Sequence, residues 1–522
     1  MKNSGKILRA GFWIILAAVI VVGYFKISEY SESEHLKYIP NNVKGVLVFD
    51  GRQVSKKVVE RFQYNPGELK DLIPSDYEDL EEVNPLDLGI HPYHKIAAFH
   101  FDIADRHCAA LLIKCDSRKF MGYFEGLHGE DFVPILEDAS KGVIAKRFKS
   151  SIHDATVIAG PGIGIYCSKA KGEHFNKTEI KEILVPYLIS AIAKNESGLL
   201  AQNESFAAFK EKNHDIGYWS QGENHSFGAL TDDFLQSQTY LDFEQGKIDI
   251  KSELKFEGEC PIKKEIKPIN SNALFAFSFM ANQESANHFV NQNIPSTFHT
   301  YFTDFSGNFF LEVTGHRLYQ GYHIESEFDE EFNEIEVVVP NDEETAFPEF
   351  IAIFSVNDPV AYNAALDADT TVECIDGFYE WEPINGMKCY ISTKENDVCF
   401  SNSKDHIIDR AGEDKNLGDL YATYSMVLDF ENLKNHIPLS GDMGLPFHNV
   451  IIQQGFGQLN FKRLEVNATE ISDNAIIGEG IFEFNDSEKH SIDALVELAN
   501  RGYQMRSIIE NMIIQTANIE SK

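Results

Sequence analysis

Ala155–Cys167 reads ATVIAGPGIGIYC, and the fold turns on whether its GPGIG is a phosphate-cradling loop or a bend between two strands. A dinucleotide loop needs a strand before its glycines and a helix straight after, so that the helix N-terminus receives the pyrophosphate. Here Gly164 is followed by Ile165, Tyr166 and Cys167, a second apolar run. Gly160 and Gly162 permit positive φ and Pro161 presets its own φ, which predicts a hairpin turn between antiparallel strands. A nucleotide-binding α/β fold is thereby set aside.

The same stretch has an echo further along. ATVIAGPGIGIYCSKAKGEHF aligns without a gap on CYISTKENDVCFSNSKDHIID, at an offset of 234 residues. Val157 then faces Ile391, Ile165 faces Cys399 and Tyr166 faces Phe400, while Gly160, Pro161 and Gly162 face Lys394, Glu395 and Asn396. YIPNNVKGVLVFDGRQVSKKVVERF and PINSNALFAFSFMANQESANHFV share a plan too: a Pro and Asn turn, an apolar strand, a polar break and an amphipathic helix. An internal duplication is expected, with a first repeat over 39–255 and a second over 256–486. The period is far longer than the 20 to 50 residues of a solenoid.

Period-two alternation dominates, in QTYLDFEQGKIDIKSELKF, HNVIIQQGFGQLNFKRLEVNATEI and AIIGEGIFEF among others, with helices between groups of strands. The clearest helix is NKTEIKEILVPYLISAIAKN, where Ile180, Ile183, Leu184, Tyr187, Leu188 and Ala191 form one stripe and Asn176 is the N-cap. The expected class is therefore α+β: two related halves of mainly antiparallel sheets with packed helices. A tail over 487–522 reads as C-terminal amphipathic helices.

The N-terminus places Lys2, Lys6 and Arg9 ahead of an uncharged run from Ala10 to Phe25. Sixteen helical residues rise about 24 Å, and snorkelling by Arg9 and Lys26 extends that toward a bilayer core of about 30 Å. The run ends VVGYFKIS without a clear Ala-x-Ala, so residues 1–28 are expected to be a retained transmembrane anchor rather than a cleaved signal peptide. The positive-inside rule keeps the N-terminus cytoplasmic and sends the bulk of the chain outside, periplasmic or at the cell surface.

Tyr38, Ile39 and Pro40 ahead of KGVLVFD, and DIGYWS at Asp215–Ser220, resemble a family of uncharacterised, exported Bacteroidetes-type proteins, membrane-anchored or lipoproteins. These begin at a Tyr-(Ile/Leu)-Pro turn after an N-terminal anchor and carry two strand-helix-sheet halves. No cysteine precedes Cys108, which departs from the lipidated members and makes a protein span the expected anchor. The resemblance implies no activity.

A net charge of −35 from 81 acidic and 46 basic side chains repels phosphate backbones, so no nucleic-acid partner is expected. Neither GxSxG, HExxH nor a Walker loop occurs, and no catalytic residue or cofactor is assigned. Seven cysteines without a CxxC are neither a disulfide framework nor a zinc pattern and read mostly as small hydrophobes in strands; a pair such as Cys389 with Cys399 could bridge neighbouring strands in an oxidising compartment. His91, His94, His100 and His107 with Cys108 are read as core or surface residues rather than ligands. ESEFDEEFNEIEVVVPNDEE holds ten carboxylates between Glu325 and Glu344 and no Lys or Arg. Asp329, Glu330, Glu331 and Glu334 are its candidates for Ca²⁺, although no DxDxDG loop sets a geometry and a solvated face explains the tract.

The expected function is binding or scaffolding at the cell envelope, with a protein, glycan or lipid partner besides the membrane engaged through residues 10–25. The alternatives are an exported hydrolase with an unrecognised site and a carrier of apolar ligands.

Overall fold

The computed structural model describes residues 34–62, 89–222, 234–436 and 461–493, apart from short stretches inside those ranges. The chain divides into two compact units, one of residues up to Asn224 with Leu235–Phe243, the other of His225–Phe234 with Glu244 onward.

Chain order in the first unit is β1 (Gly45–Asp50), α1 (Gly51–Phe62), β2 (Lys95–Ile103), β3 (Arg106–Lys114) and α2 (Ser117–His128). Four strands follow: β4 (Phe132–Asp138), β5 (Val143–Lys149), β6 (Asp154–Gly160) and β7 (Ile163–Lys171). Helix α3 then runs from Lys177–Glu179 through a π turn, Ile180–Leu184, into Val185–Ala193. α4 (Glu204–Glu211), β8 (Ile216–Gln221) and β9 (Phe234–Glu244) complete it. Every pairing is antiparallel, in the order β9-β8-β1-β2-β3-β7-β6-β5-β4.

The GPGIG stretch is a two-residue hairpin, with Gly160 paired to Ile163 and Gly162 at φ 72°. Gly160 needs no positive φ; the glycine that a close approach demands is Gly164, where a Cβ would sit 2.5 Å from the Phe120 ring of α2. α3 starts as its sequence requires, with a capping box in which the Asn176 side chain accepts from Glu179 N and the Glu179 carboxylate accepts from Asn176 N. Leu184, Val185 and Leu188 of α3, with Phe206 and Phe209 of α4, cover one face of the sheet over Val46, Phe99, Phe101 and Leu112. Phe120, Met121 and Phe124 of α2 cover the other over Ile96, Ile113 and Val157. Burial on both faces explains why β6 reads as a nearly continuous apolar run.

In the second unit the order is β10 (Lys247–Phe256), β11 (Phe275–Met280), α5 (Gln283–Asn293), β12 (Phe305–Phe328), β13 (Glu334–Val356) and α6 (Pro359–Ala368). β14 (Glu373–Ile375), β15 (Phe378–Ile384), β16 (Met387–Lys394), β17 (Asp397–Ser401), α7 (Lys404–Ala411), β18 (Tyr424–Asp429), α8 (Phe430–His436), β19 (Phe461–Ile471) and β20 (Ala475–Phe484) follow. The antiparallel order is β10-β20-β19-β18-β11-β12-β13-β17-β16-β15-β14. From β19 to β14 it runs strand for strand as the first unit runs from β9 to β4. α5 and α6 pack on one face and α7 on the other. An aromatic cluster of Phe279, Phe289, Phe305, Phe309 and Phe354 fills the first of these layers, with Phe279 and Phe309 stacked at 5.4 Å. Such ring pairs add about 0.5–1.5 kcal/mol each beyond area burial.

The α+β class expected from the sequence is corrected. The described residues are mostly antiparallel sheet, 53% strand against 27% helix. The helices that looked prominent in the sequence are short covers on long strands: β12 and β13 run to 24 and 23 residues while α7 has eight. No helix among the described residues is long and apolar enough to cross a membrane. The apolar run at 10–25 and the tail from 494 lie outside the described residues.

Candidate functional site

In strands β10, β20 and β19 one face is mainly core and the other mainly charged, with register shifts in β19 between Phe461 and Arg463 and between Ala468 and Glu470. Ile248, Leu254, Phe256, Ile476 and Phe484 are buried on the inner face. On the outer face the register aligns rows across the three strands: Lys247, Glu483 and Arg463; then Asp249, Ile481 and Glu465; then Lys251, Glu479 and Asn467. Gly480 stands between Ile250 and Val466, and a Cβ there would come 2.7 Å from Glu465 O, so only glycine lets β20 and β19 close up at this point. A hollow of about 550 Å³ lies over this face, lined by Asp249, Lys251, Arg463, Glu465, Asn467 and Glu479 among others.

Its polar groups are unevenly paired. Arg463 Nη2 lies 3.4 Å from Glu465 Oε2, and Lys247 Nζ, its pKa raised by the hydrogen bond, lies 2.7 Å from Asp249 Oδ1. Asn467 Nδ2 donates to Glu465 Oε1 at 2.9 Å, while Asn467 Oδ1 is buried without a hydrogen-bond partner. Lys251 and Glu479 face each other across the ladder, yet neither makes an ion pair among the described residues. The hollow thus offers a cationic donor, a carboxylate and an orphan amide oxygen on neighbouring strands, about 5 Å apart across them and about 7 Å along them. Such a lattice can hold a ligand by hydrogen bonds. It holds no nucleophile paired with a base.

A second polar concentration lies in the first unit, at the end of β1. Asp50 Oδ1 accepts from Arg52 N and Gln53 N at the start of α1. Lys95 Nζ sits 3.6 Å from Asp50 Oδ2 and donates to Lys210 O at 2.6 Å. Burial lowers the Lys95 pKa and raises that of Asp215, whose Oδ2 accepts from Lys57 Nζ at 2.8 Å and from Phe243 N at 2.6 Å. At the matching register of the second unit stand Met280, Asn308 and Thr423, and the backbone bond from Asp50 N to Asp215 O recurs from Met280 N to Thr423 O, both at 2.9 Å. The charges here are therefore not demanded by the backbone, but they are closed upon one another and leave nothing to offer a ligand.

The sequence-derived candidates scatter. Asp329, Glu330 and Glu331 lie outside the described residues, and Glu334 opens β13 opposite Phe328. His94 packs against His35 and His91, His100 Nε2 is 3.2 Å from Tyr218 Oη, and His107 bonds Asp102. Among the described residues no group of three or more His, Cys, Asp or Glu is placed to hold a metal ion. All seven cysteines are free thiols; Cys399 faces Ser392, so Cys389 is out of register with it, and burial pushes both thiols up to about 12. The β10–β20–β19 face was missed in the sequence because a charge at every second position reads as a solvated strand face.

No family model matches the chain, and no curated protein does. Among solved structures, crystal form I of TP0453 is similar in part, at 10% identity over 42% of this chain and 78% of that one, with a TM-score of 0.25. Form III gives 9% identity over 44% and 81%, with a TM-score of 0.26. Scores of this size establish no shared fold.

Proposed function

We propose that the protein binds a ligand at the cell envelope, held to the membrane by residues 10–25 with the bulk of the chain extracytoplasmic. The β10–β20–β19 hollow is the binding surface, and its ligand is rich in hydroxyls, such as an envelope oligosaccharide. The observation that carries this is the lining itself. Each hydroxyl donates and accepts at once, and the hollow alternates Lys251 and Arg463 as donors with Asp249, Glu465, Glu479 and Asn467 Oδ1 as acceptors. Its four acids, Asp249, Glu465, Glu479 and Glu483, against two bases disfavour anionic ligands, and the absence of an aromatic platform from the lining makes hydrogen bonding the main source of affinity.

Calorimetric titration of the full chain in detergent with neutral and amino-bearing oligosaccharides is expected to find saturable binding. Lys251→Ala with Glu479→Ala weakens it about tenfold or more, a loss of about 1.4 kcal/mol, while the melting temperature holds. Binding that ignores both substitutions refutes the assignment of the site. For the anchor, the full chain is expected in the membrane fraction and accessible to external protease, and a chain lacking residues 1–28 in the soluble fraction. Full-length protein recovered as soluble cytoplasmic material overturns the localisation.

A further inference from the structure

Part of the acidic tract that the metal hypothesis leaves unused lies on a two-stranded ribbon, whose strands end at Phe328 and open at Glu334. β11 pairs with β12 only as far as Val313, and β17 pairs with β13 only from Ile351 onward. Between these limits β12 and β13 pair with each other, from Gly315 opposite Glu349 to Phe328 opposite Glu334, with no third strand among the described residues. At its base Asn402 holds the outer edge of β13 through Pro348 O and Phe350 N. Further out, the edge at Val337–Val339 has no strand beside it among the described residues. Three successive β-branched residues there favour extension, and Val338, 60% exposed, stands directly opposite Ile324, 56% exposed. Leu318, on the same ribbon, is 52% exposed.

An open edge of this kind invites pairing, and charge is the usual protection against pairing with itself. The ten carboxylates from Glu325 to Glu344, unrelieved by any Lys or Arg, bracket Val337–Val339 on both sides. Two copies meeting at this edge bring like charges together; a cationic strand meets the opposite sign. We propose that the β13 edge at Val337–Val339 is a docking strand for an extended, lysine- or arginine-rich segment of a partner protein, which adds to the ribbon as a third strand. Main-chain hydrogen bonds supply the affinity, Val338 with Ile324 takes an apolar side chain, and the flanking acids select for basic ones. This surface is independent of the hollow on β10, β20 and β19.

The test uses the full chain and three labelled peptides: alternating Lys-Val, the same peptide with alternate backbone nitrogens methylated, and alternating Glu-Val. Fluorescence anisotropy is expected to show saturable binding of Lys-Val, binding weaker by about tenfold or more for the methylated form, and none for Glu-Val. Amide exchange at Val337–Val339 slows when Lys-Val is bound. Glu325→Lys with Glu344→Lys weakens Lys-Val binding about tenfold, with the circular dichroism unchanged. Equal binding of the methylated peptide reduces the ribbon to an ionic surface and overturns the proposal. So does concentration-dependent self-association of the protein alone that Val338→Glu abolishes, since the occupant is then a second copy. Should the charge-reversed chain misfold, the comparison of peptides on the unaltered chain decides by itself.

Discussion

Acidification from pH 7 to pH 5 destabilises the first unit through His35 and His94, by about 2 kcal/mol for each, rising to about 3 kcal/mol near pH 4. Both rings are buried, and burial holds both pKa values down at about 4 against an ordinary 6.5. The cationic Lys114 lowers both further, as do His94 and Lys210 for His35 and His91 for His94, while the hydrogen bond from His35 to Lys95 O at 2.5 Å opposes the shift. Because the folded-state values lie below the unfolded ones, the unfolded chain takes up protons below pH 6.5 that the folded chain refuses. The stabilising contribution is therefore whole above about 6.5 and is lost as the pH falls toward 4. His35 Nδ1, buried without a hydrogen-bond partner, would become a buried unpaired N–H if protonated. Urea unfolding at a series of pH values is the measurement, comparing the unaltered chain with His35→Gln and His94→Gln. The variants should flatten the slope between pH 6.5 and 4, and an unchanged slope would show that these rings already carry protons in the fold.

That histidine pair also shows where sequence patterns stop. His91, His94, His100 and His107 are close in the chain and look like a cluster, yet only His91 and His94 pack together, at 6.0 Å, while His100 meets Tyr218 and His107 bonds Asp102. The other ring against His94, His35 at 5.9 Å, lies 59 positions away, and no local pattern points to it. The hairpin at Pro161 and Gly162 was legible because its turn chemistry is local, and so was α3, whose stripe and cap fall within twenty residues. The extent of β12 and β13 was not, because acids interrupt the alternation and only cross-strand pairing reveals a ribbon. The balance of sheet over helix escaped for a related reason: an amphipathic stripe announces a helix of eleven residues as loudly as one of twenty. The β10–β20–β19 hollow depends on which charges stand side by side across three strands, one of them more than 200 positions from the other two. Local sequence shows each charge but not its neighbour.

Glu312 illustrates the same limit with a larger energetic consequence. In the run Phe309–Phe310–Leu311–Glu312–Val313 it passes for one acid among 81, yet it is wholly buried, opposite Ala276 on β11. At the matching register of the first unit, opposite Val46, stands Phe99. The position is thus a core position that carries a carboxylate, and α7 supplies the compensation. Arg410 Nη2 donates to Glu312 Oε1 at 2.6 Å, and His406 Nε2 lies 3.8 Å from Oε2. Removing the cation alone is expected to cost about 3 kcal/mol, the lower end of the range for a broken buried pair because Arg410 itself is partly exposed. Arg410→Met should therefore lower the urea midpoint of the second unit at pH 7 far more than a surface arginine substitution does. Glu312→Leu with Arg410→Met should recover most of that loss, since a hydrophobe suits the cavity and no charge is then left behind. A single Arg410→Met that costs under about 1 kcal/mol would mean that His406 or water carries the carboxylate instead. A double variant no better than the single one would mean that Glu312 organises the layer beneath α7 by hydrogen bonding rather than merely being tolerated there.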